Sequence, residues 1–454
     1  VTELSQWDAA ALHAAFAAKT TTPLEVLQAV TADILRRNKD INAFAVMNGQ
    51  ALAAAGESTA RFAAGAPRGP LDGVPVTVKD LIDVAGLPTR RGSRTTDPAP
   101  ATADAPLVAA LRRAGAVITA KTTTTEYGWK SPGDCPLNGI TRNPWNTAHT
   151  PGGSSAGAAA ACAAGFGPLH VGTDAGGSIR IPAAWSGVVG LKPSFGLVPQ
   201  WPLGAFGHVA VAGPITRTVR DAALLLGALA CFDPRDPFSL PAQNHDFLGT
   251  IEHGVAGLRI GVLQNPGFAA PADADSWGAV ASARRVLEAA GAEVADVDIP
   301  LPDTSDIFSK IWGAALARLV ASLPEQKRPL LDAGLRAVAN RFQAVTGADM
   351  LEAEALRVQA AHAMAMFHCD YDALICPCVP HAAPLADATV PDPVAALWTD
   401  WAPWTFLFNL TRQPAISLPM GTNQSGLPVA IQIATPLYRD DFLLRIARTI
   451  EHSI

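Results

Sequence analysis

Two serines in this chain each follow a pair of glycines: Ser154 after Gly152-Gly153, and Ser178 after Gly176-Gly177. Glycine lets a backbone approach a ligand closely and adopt positive φ. Successive N–H groups in such turns form a concavity that suits an anion. A hydroxyl beside one is a nucleophile next to an oxyanion site, the pairing that acyl transfer requires. A third group stands upstream, where Lys79 sits near the end of the run Gly73–Asp80, G-V-P-V-T-V-K-D. Val74, Val76 and Val78 alternate as in a half-buried strand. A lysine at a strand end is ordinarily a solvated charge. Here, however, apolar Leu81 and Ile82 separate Asp80 from Asp83, so the tip is not freely polar.

The same residues have plainer readings. Ser154 or Ser155 would cap the helix suggested by Ala156–Ala164. The second Gly-Gly-Ser would serve as a tight turn or a phosphate cradle, yet it matches neither G-x-x-x-x-G-K-[ST] nor G-x-G-x-x-G. Gly153–Gly157 also fits G-x-S-x-G. That would make Ser155 the nucleophile of a Ser-His-Asp esterase, with His170 and Asp174 as partners. Such an elbow needs a strand immediately before it, whereas Asn143–Pro151 reads as loop.

In order, G-V-P-V-T-V-K-D, P-G-G-S-S-A-G, G-T-D-A-G-G-S-I-R-I-P-A-A and G-L-K-P-S resemble the motifs of the amidase signature family. T-R-N-P-W-N before the first serine and the tail P-A-I-S-L-P-M-G…G-L-P-V-A-I-Q extend the likeness over most of the chain. The resemblance implies hydrolysis of a carboxylic amide to an acid plus ammonia or an amine, through an acyl-enzyme. It implies a Ser-Ser-Lys triad in which Ser178 is the nucleophile, Ser154 the bridging serine and Lys79 the base. It implies a cis peptide at Gly153–Ser154 or Ser154–Ser155, with Ser154 favoured as the cis residue. Backbone N–H groups of Ala175, Gly176, Gly177 and Ser178 would form the oxyanion hole. Gly128 would lie at the acyl pocket, lined by Tyr127 and Trp129. Ser155, Thr173, Asp174 and Arg180 flank the triad. Arg180 would either pair with a carboxylate such as Asp174 or bind a substrate carboxylate. A rival within the same resemblance is an amidotransferase subunit that delivers ammonia to a partner. A catalytically dead binding protein is disfavoured by the intact Lys79, Ser154 and Ser178.

The chemistry sets a demand on the fold. Lysine is a base only when neutral, and an exposed lysine holds its proton to a pKa near 10.4. Working near neutrality requires that preference to be reduced by about 4 kcal/mol, through burial or nearby positive charge. Lys79 is therefore expected to be buried and within hydrogen-bond reach of Ser154.

The elements that would provide this burial alternate between helix and short apolar strand. Helices are expected over Leu4–Ala18, Pro23–Arg37, Ala105–Ala114, Val219–Ala230, Ser276–Ala290 and Asp441–Ile450. Strands are expected over Ala116–Ala120, Leu169–Thr173, Leu258–Leu263, Glu293–Val297, Ala415–Leu418 and Val429–Ile433. Arg61–Gly73 and Pro377–Pro393 read as loops. This alternation argues for an α/β fold whose sheet is covered on both faces. The resemblance implies one domain over residues 1–454 with a central mixed sheet, and a variable, substrate-shaping helical segment at about 300–370. Trp398–Phe408 is dense in aromatics and reads as a packing helix or as a wall of the substrate funnel.

Composition excludes other classes. Of 454 residues, 49% are hydrophobic and 16% charged, which suits a large buried core rather than disorder. A net charge of −6 without a basic run argues against nucleic-acid binding. Six scattered cysteines make neither a disulfide framework nor a zinc pattern, so a reduced, cytoplasmic setting is expected, with no metal or cofactor. No apolar run reaches the ~20 residues of a membrane span. Ala9–Ala18 lacks the basic flank of a signal peptide. A small amide is the expected partner, and a homodimer is compatible with the reading.

Overall fold

A computed structural model describes residues 4–241, 246–388 and 402–454. The first third forms α1 (Ala9–Ala17), α2 (Pro23–Ile41), β1 (Phe44–Met47), α3 (Ala51–Ala63), β2 (Pro75–Lys79), α4 (Pro106–Arg113) and β3 (Val117–Thr122). A small hairpin, β4 (Asp134–Cys135) and β5 (Gly139–Ile140), precedes α5 (Ala156–Ala163), β6 (Leu169–Asp174), α6 (Arg180–Ser186), β7 (Val189–Lys192) and β8 (Val211–Thr216). Next come α7 (Val219–Leu229), β9 (Arg259–Leu263), α8 (Ala274–Ala289), β10 (Glu293–Val297), α9 (Thr304–Ser322), α10 (Ala333–Phe342) and α11 (Gly347–Phe367). The chain finishes with β11 (Ala373–Pro377), α12 (Leu407–Leu410), β12 (Ala415–Thr422), β13 (Pro428–Ala434) and α13 (Asp440–Glu451).

Eleven strands form one mixed sheet in the order β1-β3-β2-β6-β8-β7-β12-β13-β11-β9-β10. The β2–β3, β2–β6, β9–β10 and β9–β11 pairs are parallel. The remaining pairs in that sheet are antiparallel. Strand β11 shows how both faces are buried. Ala373 and Ile375 enter the main core with residues of α7, α8 and α13, while Leu374 and Cys376 enter a second core with Trp404 and Phe408. Side chains alternate across a strand, so both sets can be apolar only if helices or loops cover both faces.

Several elements differ from expectation. The segment after Arg61 is not all loop, because α3 runs through it to Ala63. Strands β1, β7, β8 and β11 and helix α6 add to the expected elements. Strand β8 carries Gly213 and Pro214, which read as breakers, and α6 has only seven residues, with Pro182 inside. Among its described residues, the aromatic stretch is helical only from Leu407, in α12 (Leu407–Leu410). Trp404, Phe406 and Phe408 are fully buried, whereas Trp398 and Trp401 lie outside the described residues.

Helix α5 places the first serine turn, and one glycine sets how close it comes. A Cβ on Gly157 would meet the Ala43 carbonyl at 2.1 Å and the Thr123 nitrogen at 2.5 Å. In an exposed helix, glycine to alanine is stabilising by about 1 kcal/mol. Here overpacking reverses the sign, and Gly157→Ala is expected to destabilise by about 2 kcal/mol. A raised urea midpoint in that variant would contradict this packing.

Candidate active site

Lys79 is the last residue of β2 and is wholly buried. Its Nζ lies 2.7 Å from Ser154 Oγ, 2.9 Å from Ser155 Oγ and 2.9 Å from Thr173 Oγ1. A longer contact of 3.4 Å reaches the Thr173 carbonyl, so every partner is neutral: three hydroxyls and one carbonyl. Burial pushes the amine well below the usual lysine value, and the negative charge of Asp174 opposes the shift without reversing it. The nearby carboxylates are committed elsewhere. Asp80 pairs with the buried Lys121 at 2.8 Å. Asp174 accepts from the Gly177 and Ile179 backbone N–H groups and from Asn409 Nδ2. It also holds Arg180 through Nε at 3.0 Å and Nη2 at 2.9 Å, and Arg180 keeps it well below the usual carboxylate range.

The two serine loops meet at this amine. The Gly153–Ser154 peptide is cis. Ser155 donates its backbone N–H to the Ser178 carbonyl at 3.1 Å, which ties one loop to the other. Ser155 Oγ donates to the Thr173 carbonyl at 3.2 Å, so its proton is already engaged. Ser154 and Ser178 both line one cavity of about 330 Å³, together with Gly128, Thr173 and Ala175. Its walls are largely apolar: Leu81 and Leu107 on one side, and Trp201, Leu203 and Phe206 from the loop before β8 on another. Tyr127 also lines it.

The backbone around Ser178 narrows the oxyanion donors. The Gly177 N–H donates to Asp174 Oδ1 at 2.8 Å and is therefore already used. No acceptor among the described residues takes the N–H of Ala175, Gly176 or Ser178. Gly177 has a different task. Its φ is +123°, and a Cβ there would meet Thr405 Oγ1 at 2.3 Å. Thr405 can then donate to the Gly176 carbonyl at 2.6 Å and brace the turn.

Arg180 is not available to a substrate. A guanidinium has five N–H donors. Arg180 directs Nε and Nη2 at Asp174, Nη1 at the Thr405 carbonyl and Gln432 Oε1, and Nη2 at Asn409 Oδ1. All five are engaged in a fully buried network, so this side chain holds the Ser178 loop in place. Asn409 and Thr405 carried no marker in the sequence. Gln432 did, as the last residue of G-L-P-V-A-I-Q.

Other expectations are corrected. Trp129 does not line the cavity; it packs into the core beside Ile307, Leu335 and Val338. Of the aromatic stretch, Trp404, Phe406 and Phe408 are not wall residues either. Phe406 instead stacks on Phe308 at 4.6 Å, Phe308 on Trp312, and Trp312 on the wall residue Phe206 at 3.7 Å. The stretch supports the funnel from behind. A Ser155-centred esterase lacks its base. His170 is fully buried against Thr77 Oγ1 and the Gly167 carbonyl, and burial pulls its pKa down to about 3.

Tyr127 is braced by residues that nothing in the sequence singles out. Its hydroxyl lies 2.6 Å from Thr95 Oγ1, which lies 2.7 Å from Ser93 Oγ. Ser93 donates to the buried carboxylate of Glu126 at 2.6 Å. Glu126 Oε2 accepts the N–H of Asp332, the N-cap of α10, so the 300–370 segment is tied to the cavity wall. Among the described residues, no group of three or more His, Cys, Asp or Glu is placed to hold a metal, and no helix is long and apolar enough to cross a membrane.

Comparison with known proteins agrees with this architecture. A family model described as Amidase matches residues 25–444. An acylamidase of Rhodococcus erythropolis is 36% identical, with 97% of this chain and 94% of that one covered. A component of the glutamyl-tRNA(Gln) amidotransferase of Rhodopirellula baltica is 35% identical, with 95% and 93% covered. Among solved structures, a bacterial aryl acylamidase of the amidase signature enzymes superposes with a TM-score of 0.90 at 28% identity, covering 99% and 96%. The peptide amidase of Stenotrophomonas maltophilia gives 0.84 at 28% identity, covering 98% and 96%. With the motifs, the eleven-stranded sheet and these matches in agreement, the chain belongs to the amidase signature family, hydrolases that act on carbon–nitrogen bonds.

Proposed function

We propose that this protein hydrolyses carboxylic amides through an acyl-enzyme on Ser178, with Ser154 and Lys79 as the proton relay. One observation carries the proposal: a fully buried amine with only neutral partners lies 2.7 Å from Ser154, whose hydroxyl opens onto the same cavity as Ser178. A neutral amine has two N–H donors and one lone pair. Ser155 Oγ has already given its proton to the Thr173 carbonyl, so it accepts from Lys79. Thr173 takes the second N–H, shared between Oγ1 at 2.9 Å and its carbonyl at 3.4 Å. The lone pair is then left for the proton of Ser154. A hydroxyl both donates and accepts, so Ser154 can pass its proton to Lys79 while taking the proton of Ser178.

The steps follow from that arrangement. Ser178 Oγ attacks the amide carbonyl, and its proton moves to Ser154 as the proton of Ser154 moves to Lys79. The free N–H groups of Ala175, Gly176 and Ser178 hold the developing oxyanion. Collapse of the tetrahedral intermediate breaks the C–N bond, and the proton held at Lys79 returns through Ser154 to the leaving nitrogen. Water then attacks the acyl-serine by the same relay and releases the acid.

The amidotransferase relatives keep a second reading in play, in which the released ammonia passes to a partner. The purified chain decides between them. Hydrolysis of hexananilide by this chain alone supports the amidase reading. Turnover of glutamine only when a partner is added would support the other.

Three further outcomes are expected. A fluorophosphonate should label Ser178 and no other serine, and Ser178→Ala should abolish labelling; an adduct mapped to Ser154 or Ser155 would contradict the assignment. Lys79→Ala should lower kcat/KM about 1,000-fold with an unchanged circular dichroism spectrum. The sign of the pH dependence also follows from the lowered value of Lys79. The working form is neutral, so wild-type kcat/KM should fall as pH drops through that value and level off above it. Activity that rises on acidification would contradict the base.

A further inference from the structure

Among the described residues, three charged side chains line the cavity: Asp83, Arg91 and Arg318. They come from separate parts of the fold. Asp83 and Arg91 lie in the segment between β2 and α4, and Arg318 lies on α9, in the segment tied to the wall through Glu126 and Asp332. Neither guanidinium makes a hydrogen bond or ion pair among the described residues, and the charge of Arg91 is felt only at a distance by the Asp80–Lys121 pair. Arg91 is held in place by its backbone, whose N–H donates to the Asp80 carbonyl and whose carbonyl accepts from Tyr127, with φ at +54°. Its side chain makes no hydrogen bond or ion pair with any described residue. Arg318 likewise makes none, and α9 gives it no counter-ion: the residues three and four positions away are Ala314, Ala315, Ala321 and Ser322. On the same helix Lys310 does pair, with Asp306 at 2.8 Å.

Arg91 is half-buried and Arg318 exposed at this cavity. With Asp83 as the one carboxylate among the described lining residues, they leave a net positive charge facing whatever fills it. Arg180, the buried arginine beside the nucleophile, has every donor engaged and cannot supply this recognition. We infer that the substrate carries a carboxylate on a part of the molecule away from the scissile amide, with an apolar body between, and that Arg91 and Arg318 recognise it. Guanidinium groups bind carboxylates with directed, charge-assisted hydrogen bonds. Leu81, Leu107, Trp201, Leu203 and Phe206 line the same cavity and supply apolar contact for the body of such a substrate. This inference deepens the amidase reading of the cavity and rests on it.

Matched substrates test it. Hexananilide is the neutral reference. The monoanilide of adipic acid places a carboxylate on the acyl side. The hexanoyl amide of 4-aminophenylacetate places one on the amine side, with the hexanoyl amide of 4-methylaniline as its own neutral control. For at least one pair, kcat/KM for the carboxylated member should exceed its control about tenfold, chiefly through KM, as expected for a partly exposed charge contact. The side that gains tells which end of the substrate faces the arginines. Added salt should raise the KM of the carboxylated member more than that of its control. In the double variant Arg91→Gln/Arg318→Gln the ratio within the favoured pair should fall to near one.

Equal kcat/KM within both pairs, or a ratio unchanged in the double variant, would overturn the inference while leaving the amidase reading intact. If the double variant does not fold, the salt dependence of the wild-type KM decides in its place. Failure of the amidase reading looks different: no turnover of any of the four amides and no fluorophosphonate adduct on Ser178.

Discussion

The structure depends on an amine placed deep in the protein without a counter-ion. A buried lysine is costly when charged, and the ordinary remedy is a carboxylate in contact. Here the contacts of Lys79 are two serine hydroxyls and a threonine. The fold has carboxylates close by and commits each to another cation, Asp80 to Lys121 and Asp174 to Arg180. Had either reached Lys79, the ammonium would have been stabilised and the neutral amine disfavoured. The site is thus defined as much by which charges are kept apart as by which hydroxyls are brought together.

That separation is a property of the sheet. Strands β2 and β6 are parallel neighbours, so Lys79 and the Thr173-Asp174 pair come to the same end of the sheet. Helix α5 begins with the first serine turn and packs against β3 through Gly157. Helix α6 begins just after the second. Arg180, its first residue, reaches across to Asn409 and Gln432, more than two hundred residues downstream. The Ser178 turn is therefore held both by its own neighbours and by segments more than two hundred residues downstream. The helical segment at 304–367 closes the arrangement through the stack Phe206, Trp312, Phe308 and Phe406.

Local patterns made much of this legible. The alternating valines before Lys79 and the Gly-Gly-Ser turns pointed to strand and loop, and the ordered motifs pointed to the family and its sheet. Long-range partners were the part that did not show. Nothing near Thr405 or Asn409 marks them as braces of a turn at residue 177, because hydrogen bonds between distant segments leave no periodicity. Trp129 was misplaced because an aromatic beside a motif looks the same in sequence whether it faces a cavity or a core. The Gly177 N–H, expected among the oxyanion donors, is spent on Asp174, which did not show for a related reason. A run of glycines shows that backbone can come close, but not which N–H is already taken by a side chain such as Asp174.

The most direct test concerns the state of one proton. With lysine labelled at Cε by carbon-13, the Lys79 resonance can be assigned by its absence in Lys79→Met and followed through a pH titration. The account predicts a midpoint well below that of the surface lysines, with the neutral amine present where the enzyme works. A Lys79 resonance that titrates together with the surface lysines would contradict it.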